Sequence, residues 1–382
     1  MTVPFNWPKV AGEEFRFMAD AIARGKLAGD GHYTAACHDE ILAATGAGAC
    51  LLTHSCTAAL EMAALILDLK PGDEVVMPSF TFSSTANAVA LRGATPVFID
   101  IRPDTLNMDE TQLDAAITER TRAIFVVHYA GVCVEMDAIE AAIARRDIVI
   151  VEDAAQAFGS TYRGRPAGSL GAMAAFSFHE TKNLISGEGG ALVLRDNAHK
   201  LRAEIIREKG TNRSQFWRGA VDKYTWVDIG SSYLPSELIA AFLYAQLLER
   251  DRILAERRQV WDFYREALTP LVEQGYRLPV IPDHCEHNAH LFYLLAPDER
   301  LRDGLVAALK AEGVSAPFHY IPLHSAPAGL RYGRAVGNMR HTDDVSGRLL
   351  RLPLFPAIGD RAAEVVDRVR RLVGAGVSRR SA

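Results

Sequence analysis

Lys182 stands in the surroundings that most suggest chemistry. The apolar, strand-compatible run Met173 to Phe178 leads to it, and a polar, glycine-rich stretch ending at Gly190 follows. Upstream, Ile148-Val-Ile-Val is an apolar strand pattern that ends in two carboxylates, Glu152 and Asp153. The pattern predicts a lysine and an aspartate, each at the carboxyl end of a buried strand. That pair is what pyridoxal phosphate needs: an amine to bond its aldehyde, and a carboxylate to keep its pyridine nitrogen protonated so that the ring draws electrons. Lys182 would hold the cofactor, be displaced by a donor amine, and then shuttle a proton, for which it must be neutral. Desolvation and nearby positive charge are expected to lower its pKa. Asp153 is preferred over Glu152 because the small pair Ala154-Ala155 follows it and lets a flat ring approach.

The elements that position these residues are legible around them. Leu51 to Asp68 reads as a strand end, a polar turn and a helix, with Ser55 and Thr57 at the helix start. A helix N-terminus rich in hydroxyls and free amides binds phosphate readily. Strands are expected near Val75–Met77, Pro96–Asp100, Ala123–His128 and Ile148–Glu152, with helices over Asp109–Thr118 and Met136–Arg145. This alternation predicts an α/β fold with a mainly parallel sheet covered on both faces. Ligands of such sheets collect outside the carboxyl ends of the strands. Phe82, His128, Asp153 and Ser177 fall at such ends, so they are expected to share one site.

Before the sheet, an amphipathic helix is predicted over Glu13–Arg24, followed by a glycine turn. Residues 197–235 read as a long polar loop of functional or interface character. One long amphipathic helix is expected from Glu237 to about Thr269, strands at His290–Leu295 and Val314–Tyr320, and a closing helix at Ala362–Leu372. The predicted organisation is a large domain over residues 1–250 and a small α+β domain over 251–382.

The chain has 382 residues, and a formal net charge of −5 gives no reason to expect nucleic acid or an anionic membrane surface. Five cysteines, odd in number and without a C-x-x-C, favour reduced thiols over a disulfide framework or a zinc site. The N-terminal residues lack the basic and apolar regions of a signal peptide, and no apolar run approaches spanning length. A soluble cytoplasmic protein is the expectation.

These motifs resemble those of the DegT/DnrJ/EryC1/StrS sugar aminotransferases, and the resemblance runs over essentially the whole chain. It is carried by Ser55-Cys-Thr-Ala-Ala-Leu60, Gly72 to Phe82, Gly93 to Asp100, Val127 to Gly131, Glu152-Asp-Ala-Ala-Gln156 and Phe176 to Asn183. It implies the pyridoxal-phosphate transferase fold type I, the aspartate aminotransferase-like fold, and a homodimer with shared active sites. Gly25 to Gly31, Arg207 to Phe216, Asp222 to Trp226 and Phe318 to His324 further resemble members that make dTDP-4-amino-4,6-dideoxygalactose. The implied reaction moves an amino group from L-glutamate to C4 of dTDP-4-keto-6-deoxyglucose, and the closest alternative is a nucleotide-sugar aminotransferase of other epimer, position or nucleotide.

By the same resemblance, Lys182 is the Schiff-base lysine and Asp153 the partner of the pyridine nitrogen. Ser177 and the amides of Cys56 and Thr57 hold the phosphate, Phe82 stacks on the ring, and Gln156 sits near the ring oxygen. The family usually has glycine where Cys56 stands, and often asparagine, donated by the partner subunit, where Ser232 aligns. His179 is expected in the site wall. Asn183, Arg213, Lys223, His319 and Tyr320 are candidate substrate contacts. His319 and His324 lack a thiolate or carboxylate at ligand spacing, so no metal is expected. A dehydratase on the same scaffold usually has histidine in place of the lysine, and a regulatory relative carries a DNA-binding domain for which this chain has no basic stretch.

Overall fold

The computed structural model describes residues 2–376; Met1 and residues 377–382 lie outside that description. In chain order the strands are β1 (Ala49–Thr53), β2 (Glu74–Pro78), β3 (Thr95–Ile99), β4 (Thr121–Val127), β5 (Val149–Asp153), β6 (Thr161–Tyr162), β7 (Arg165–Pro166), β8 (Met173–Ser177), β9 (Gly190–Leu194), β10 (Cys285–Glu286), β11 (Phe292–Leu295), β12 (Arg334–Ala335) and β13 (Leu349–Leu352). Eight of them form one sheet in the order β1-β9-β8-β5-β4-β2-β3-β12. Strand β9 runs antiparallel to β1 and β8, and the remaining pairs are parallel. The expected α/β fold with a mainly parallel sheet is therefore what the chain forms.

The strands are apolar on both sides because both sides are covered. In β4, Ile124 and Val126 face a cluster that holds Val76, Val97 and Phe176, while Ala123 and Phe125 face one that holds Val75, Met77 and Leu60. Four helices early in the chain position the site: α1 (Glu14–Ala23), α2 (His32–Thr45), α3 (Cys56–Ile66) and α4 (Ser83–Ala90). Helix α3 begins where predicted: Ser55 Oγ accepts the Ala58 amide at 3.1 Å, the bond of an N-cap.

A second, smaller pairing joins β11 to β13 antiparallel, with Tyr293 opposite Arg351. Phe292, Leu294, Leu350 and Leu352 bury one face against Trp261, Tyr264 and Val365. Tyr293, Leu295 and Leu349 turn the other way and pack with Phe80 and Tyr129. By the alternation of a strand, Arg351 points with Leu349, away from the apolar core.

Four expectations about elements change. The segment expected as a strand over Val314–Tyr320 makes one bridge, Val3 to Val314, and then runs as irregular chain. Pro317 lacks the amide that a ladder requires. The helix expected over Asp109–Thr118 is a short 3-10 turn followed by Leu113–Ala116, stopped where Thr121 Oγ1 takes the Thr118 amide at 2.9 Å. The polar segment 197–235 contains helices Lys200–Arg207 and Arg213–Trp217. The single long helix after Glu237 is two, Glu237–Leu248 and Arg250–Leu268, parted at Glu249. The first is apolar and packs Tyr244 against Phe17 of α1, ring centroids 5.2 Å apart; the second carries the amphipathic pattern.

Candidate active site

Val127, Asp153 and Ser177, the last residues of β4, β5 and β8, open onto one cavity of about 660 Å³. Its place outside the carboxyl ends of parallel strands is where an α/β sheet offers a ligand site. Lys182 lines the same cavity.

The two adjacent carboxyls of β5 point to opposite faces, as the pleat requires. Glu152 is fully buried and takes the amides of Gly168, Leu170 and Gly171 at 2.8, 2.9 and 2.7 Å. His128, expected in the site, turns away with it. Its Nδ1 accepts the Val134 amide at 3.3 Å, so Nε2 carries the proton and donates to Glu152 at 2.9 Å. Asp153 faces the cavity. Thr85 Oγ1 donates to Asp153 Oδ2 at 2.6 Å, and the Ala155 amide donates to Oδ1 at 3.2 Å. Burial pushes the Asp153 carboxyl above its usual range, and these two hydrogen bonds and the Lys182 charge offset part of the rise. A cationic ring nitrogen facing it would stabilise its charged form.

Lys182 does not sit on the strand end. It stands five residues beyond Ser177 in the loop between β8 and β9. That loop is tied by Phe178 N to Gly189 O at 2.8 Å, Ser186 N to Phe178 O at 2.7 Å and Lys182 N to His179 O at 2.8 Å. Desolvation lowers the Lys182 pKa; Cys56 and Asp153 pull it back up, and the Arg351 charge lowers it further. The amine is thus biased toward the neutral form that nucleophilic attack and proton transfer need.

Ser55, Cys56 and Thr57 bring the N-terminus of α3 to the cavity, and Ser84 and Ser177 add hydroxyls beside it. Thr57 Oγ1 and Ser84 Oγ lie 2.7 Å apart, while Ser177 Oγ receives the His179 amide at 3.4 Å. Cys56 points its thiol at the Ala175 carbonyl, 3.5 Å away. Gly190 lets β9 pass directly over this turn, since a Cβ there would collide with the Ser55 carbonyl carbon and the Cys56 amide. Opposite, Gln156 Oε1 takes the Ala130 amide at 2.7 Å, which leaves its Nε2 to donate to Tyr320 Oη at 3.0 Å. Phe82 is 59% exposed at the mouth, its ring 6.3 Å from that of Tyr320. His319 lines the wall and shares a hydrogen bond with Tyr129 Oη at 3.0 Å.

Other expected residues lie elsewhere. Asn183 is buried behind the cavity, donating to Asn288 O at 2.7 Å and contacting His290 Nδ1 at 2.9 Å, so it orients His290. His179 is at the rim, with Nδ1 2.9 Å from Thr181 Oγ1. His324 bonds Ser79 Oγ at 2.8 Å, outside the cavity. Arg213 lies 3.6 Å from Glu208, Lys223 is exposed, and Ser232 bridges Glu208 along the backbone; none lines this cavity. Sequence reasoning passed over Thr85, His290, Arg257 and Arg351. The hydroxyl run Ser83-Ser-Thr85 after Phe82, and an arginine inside Leu349-Leu-Arg-Leu352, were the available signals.

The charges that line the cavity are Lys182, Arg257 and Arg351 against Asp153 and Glu188. Burial pushes His290 and His319 well below the usual histidine range, so they add no charge at neutral pH. Two arginines, an amine biased to neutrality, a buried carboxyl and a hydroxyl-lined helix N-terminus fit a ring with a phosphate, an aldehyde and a basic nitrogen.

Comparison with known proteins gives the same picture. The profile of the DegT/DnrJ/EryC1/StrS aminotransferase family matches residues 9–370. The spore coat polysaccharide biosynthesis protein SpsC of Bacillus subtilis is 33% identical over 381 residues, 97% of each chain. Among solved structures, S. venezuelae DesV superposes with a TM-score of 0.88 at 33% identity, covering 97% of this chain and 98% of that one. DesI, solved in the presence of its TDP-sugar product, gives 0.88 at 29% identity, covering 98% and 94%. The chain belongs to the DegT/DnrJ/EryC1/StrS aminotransferase family and is a pyridoxal-phosphate-dependent sugar aminotransferase.

Proposed function

We propose that the enzyme transfers the amino group of L-glutamate to C4 of a nucleotide-linked 4-keto-6-deoxyhexose, taking dTDP-4-keto-6-deoxyglucose to dTDP-4-amino-4,6-dideoxygalactose. The observation that carries the reading is that Lys182 and Asp153 line one cavity with room for a further ligand. Bound there, the cofactor supplies an electron-withdrawing ring that acidifies the carbon bearing the donor's amine.

The chain's own residues do the rest. The Lys182 amine takes the proton from the donor carbon and delivers it to the neighbouring carbon; in the second half-reaction it runs the same path to the sugar's C4. Asp153, held by Thr85 and the Ala155 amide, keeps its charge opposite the ring nitrogen. The amides and hydroxyls of Ser55, Cys56, Thr57 and Ser177 would hold the phosphate and so restrain the ring during proton transfer. Gln156, which donates to Tyr320, would sit beside the ring oxygen. Phe82, His319 and Tyr320 form the wall against which the sugar is placed.

The nucleotide sugar is supported by the TDP-sugar of DesI and by the segments around Arg207–Phe216, Asp222–Trp226 and Phe318–His324. The first two lie outside their own chain's cavity. Trp217 and Trp226 there are 70% and 77% exposed, an apolar surface that a second copy would cover. We infer a cytoplasmic homodimer in which Arg213, Lys223 and Ser232 serve the partner's site.

Purified enzyme given the cofactor, L-glutamate and dTDP-4-keto-6-deoxyglucose is expected to yield the 4-amino sugar, with its mass read by mass spectrometry and its C4 configuration by NMR. Consumption of glutamate without amination of this sugar would discard the substrate and leave the aminotransferase.

A further inference from the structure

His290 is one imidazole on which several separate devices converge. Asn183 Nδ2 donates to Asn288 O at 2.7 Å, and a carbonyl only accepts, so it is Asn183 Oδ1 that faces His290 Nδ1 at 2.9 Å. Nδ1 therefore carries the proton of the neutral ring, and Nε2 carries the lone pair. The backbone beside the ring is clamped as well. Arg257, fully buried, donates through Nε to Ala289 O at 3.1 Å and through Nη2 to His290 O. Asn288 Nδ2 donates to Gln156 O at 2.9 Å and to Phe158 O at 3.0 Å. Between these ties Ala289 is held at φ +52°, in the left-handed region that alanine rarely adopts. Strain of this kind persists only where the surroundings over-determine the backbone.

Packing alone does not call for so much control over one ring. His290 lines the cavity together with Lys182, and its Nε2, which accepts no hydrogen bond from a described residue, is open on that side rather than sealed in the protein. Asn183, which sets the tautomer, directly follows Lys182, so the lysine's loop and the imidazole are held in one register. Burial, helped by the charges of Lys182, Arg257, His319 and Arg351, keeps the ring neutral. A neutral ring with a free lone pair complements an N–H donor, and the Lys182 amine is one both before and after it takes a proton. We propose that His290 is a positioning residue for Lys182: its Nε2 accepts a hydrogen bond from the lysine amine while that amine is free of the cofactor, and leaves the amine's lone pair aimed at the donor carbon. The imidazole neither gains nor loses a proton. Lys182 takes the proton, the electron pair of the broken C–H bond stays with the substrate and cofactor, and the resulting ammonium returns the proton to the neighbouring carbon. The assignment rests on the reading of Lys182 as the cofactor lysine but not on the identity of donor or sugar.

The first test needs no cofactor. Competitive acetylation of Lys182 across a pH series, read by peptide mass spectrometry on the cofactor-free protein, gives the pH at which the amine loses its proton. Cys56, Asp153 and Arg351 also act on that amine, and all three stay in place in the variants. His290→Phe keeps a ring and removes the acceptor, so the profile should move about one pH unit lower, the scale of a lost hydrogen bond to an ammonium. His290→Gln, whose amide oxygen accepts, should bring it part of the way back. The second test loads the cofactor and uses L-glutamate deuterated at its α-carbon. His290→Phe should slow the donor half-reaction about 10- to 100-fold and enlarge the isotope effect, with the apparent Kd for glutamate within about 3-fold of wild type. A merely structural histidine would weaken glutamate binding and leave the isotope effect unchanged, and that result would overturn the assignment. So would a labelling profile that stays in place or moves to higher pH in His290→Phe, the latter being the sign of a charged imidazole. Nitrogen-15 spectra of histidine-labelled wild type should show His290 protonated on Nδ1; a proton on Nε2 would leave no lone pair and overturn it as well. Attachment of the cofactor to another lysine would overturn it through the reading of Lys182 rather than through His290.

Discussion

Thr85 Oγ1 donates to Asp153 Oδ2 at 2.6 Å, a buried bond between the start of α4 and the end of β5. Thr81 Oγ1 stands 3.0 Å behind Thr85, so the hydroxyl is itself oriented. The carboxyl is fixed on one oxygen and keeps acceptor capacity on the other for the ring nitrogen. Burial alone would favour its neutral form; the Thr85 bond opposes that. Thr85→Val should therefore weaken cofactor affinity about 10-fold, near 1.4 kcal/mol, with Thr85→Ser close to wild type. Equilibrium titration of the cofactor by absorbance reads the difference.

The neighbouring carboxyls of β5 should separate cleanly by substitution. Asp153→Asn should lower kcat at least about 1000-fold, roughly 4 kcal/mol of barrier. It should not lower the stability of the cofactor-free protein. The sign follows from the raised folded pKa: an ionised Asp153 costs stability as pH rises from its unfolded to its folded value, and asparagine removes that cost. Glu152→Gln should do the reverse. It disturbs three backbone amides and His128, for an expected loss of about 3 kcal/mol in urea unfolding, while activity per folded molecule stays within about 10-fold.

The rate at which the cofactor attaches to Lys182 should rise with pH as the amine loses its proton. Because the folded pKa lies below the ordinary lysine value, the rise should come at lower pH than for a free lysine. Arg351→Met removes a charge that lowers this pKa and should move the rise to higher pH. Asp153→Asn removes one that raises it and should move the rise to lower pH. Stopped-flow absorbance across a pH series measures all three.

Trp226 is 77% exposed and Trp217 70%, on a segment that does not line its own chain's cavity. Sedimentation should report about twice the 41.8 kDa chain mass, and Trp226→Glu should shift the equilibrium toward monomer and lower activity with it. A fully active monomer would count against shared sites.

Much of the fold was legible because a sheet covered on both faces leaves continuous apolar strands, as in β2, β4 and β5. Lys182, Asp153 and the start of α3 could be found because each follows such a strand closely. What could not be read was geometry between distant segments. His128 sits at a strand end as expected, yet the pleat turns it toward Glu152 and away from the cavity. Asn183 follows the lysine directly and still serves His290 from behind. Arg351 is distant in the chain from every motif and reaches the site only through the β11–β13 pairing. The Val314–Tyr320 segment had strand composition, but its neighbours give it no ladder to join.

On the proposed function Lys182 carries the cofactor in the cavity that Asp153 also lines, and hands amine from donor to sugar. The most direct measurement is borohydride reduction of the cofactor-loaded protein, followed by peptide mass spectrometry, with and without prior L-glutamate. A pyridoxyl group is expected on the Lys182 peptide, absent in Lys182→Ala, and lost from the wild type when glutamate is added first. A pyridoxyl group on a different lysine, or one on Lys182 that glutamate cannot displace, would contradict it.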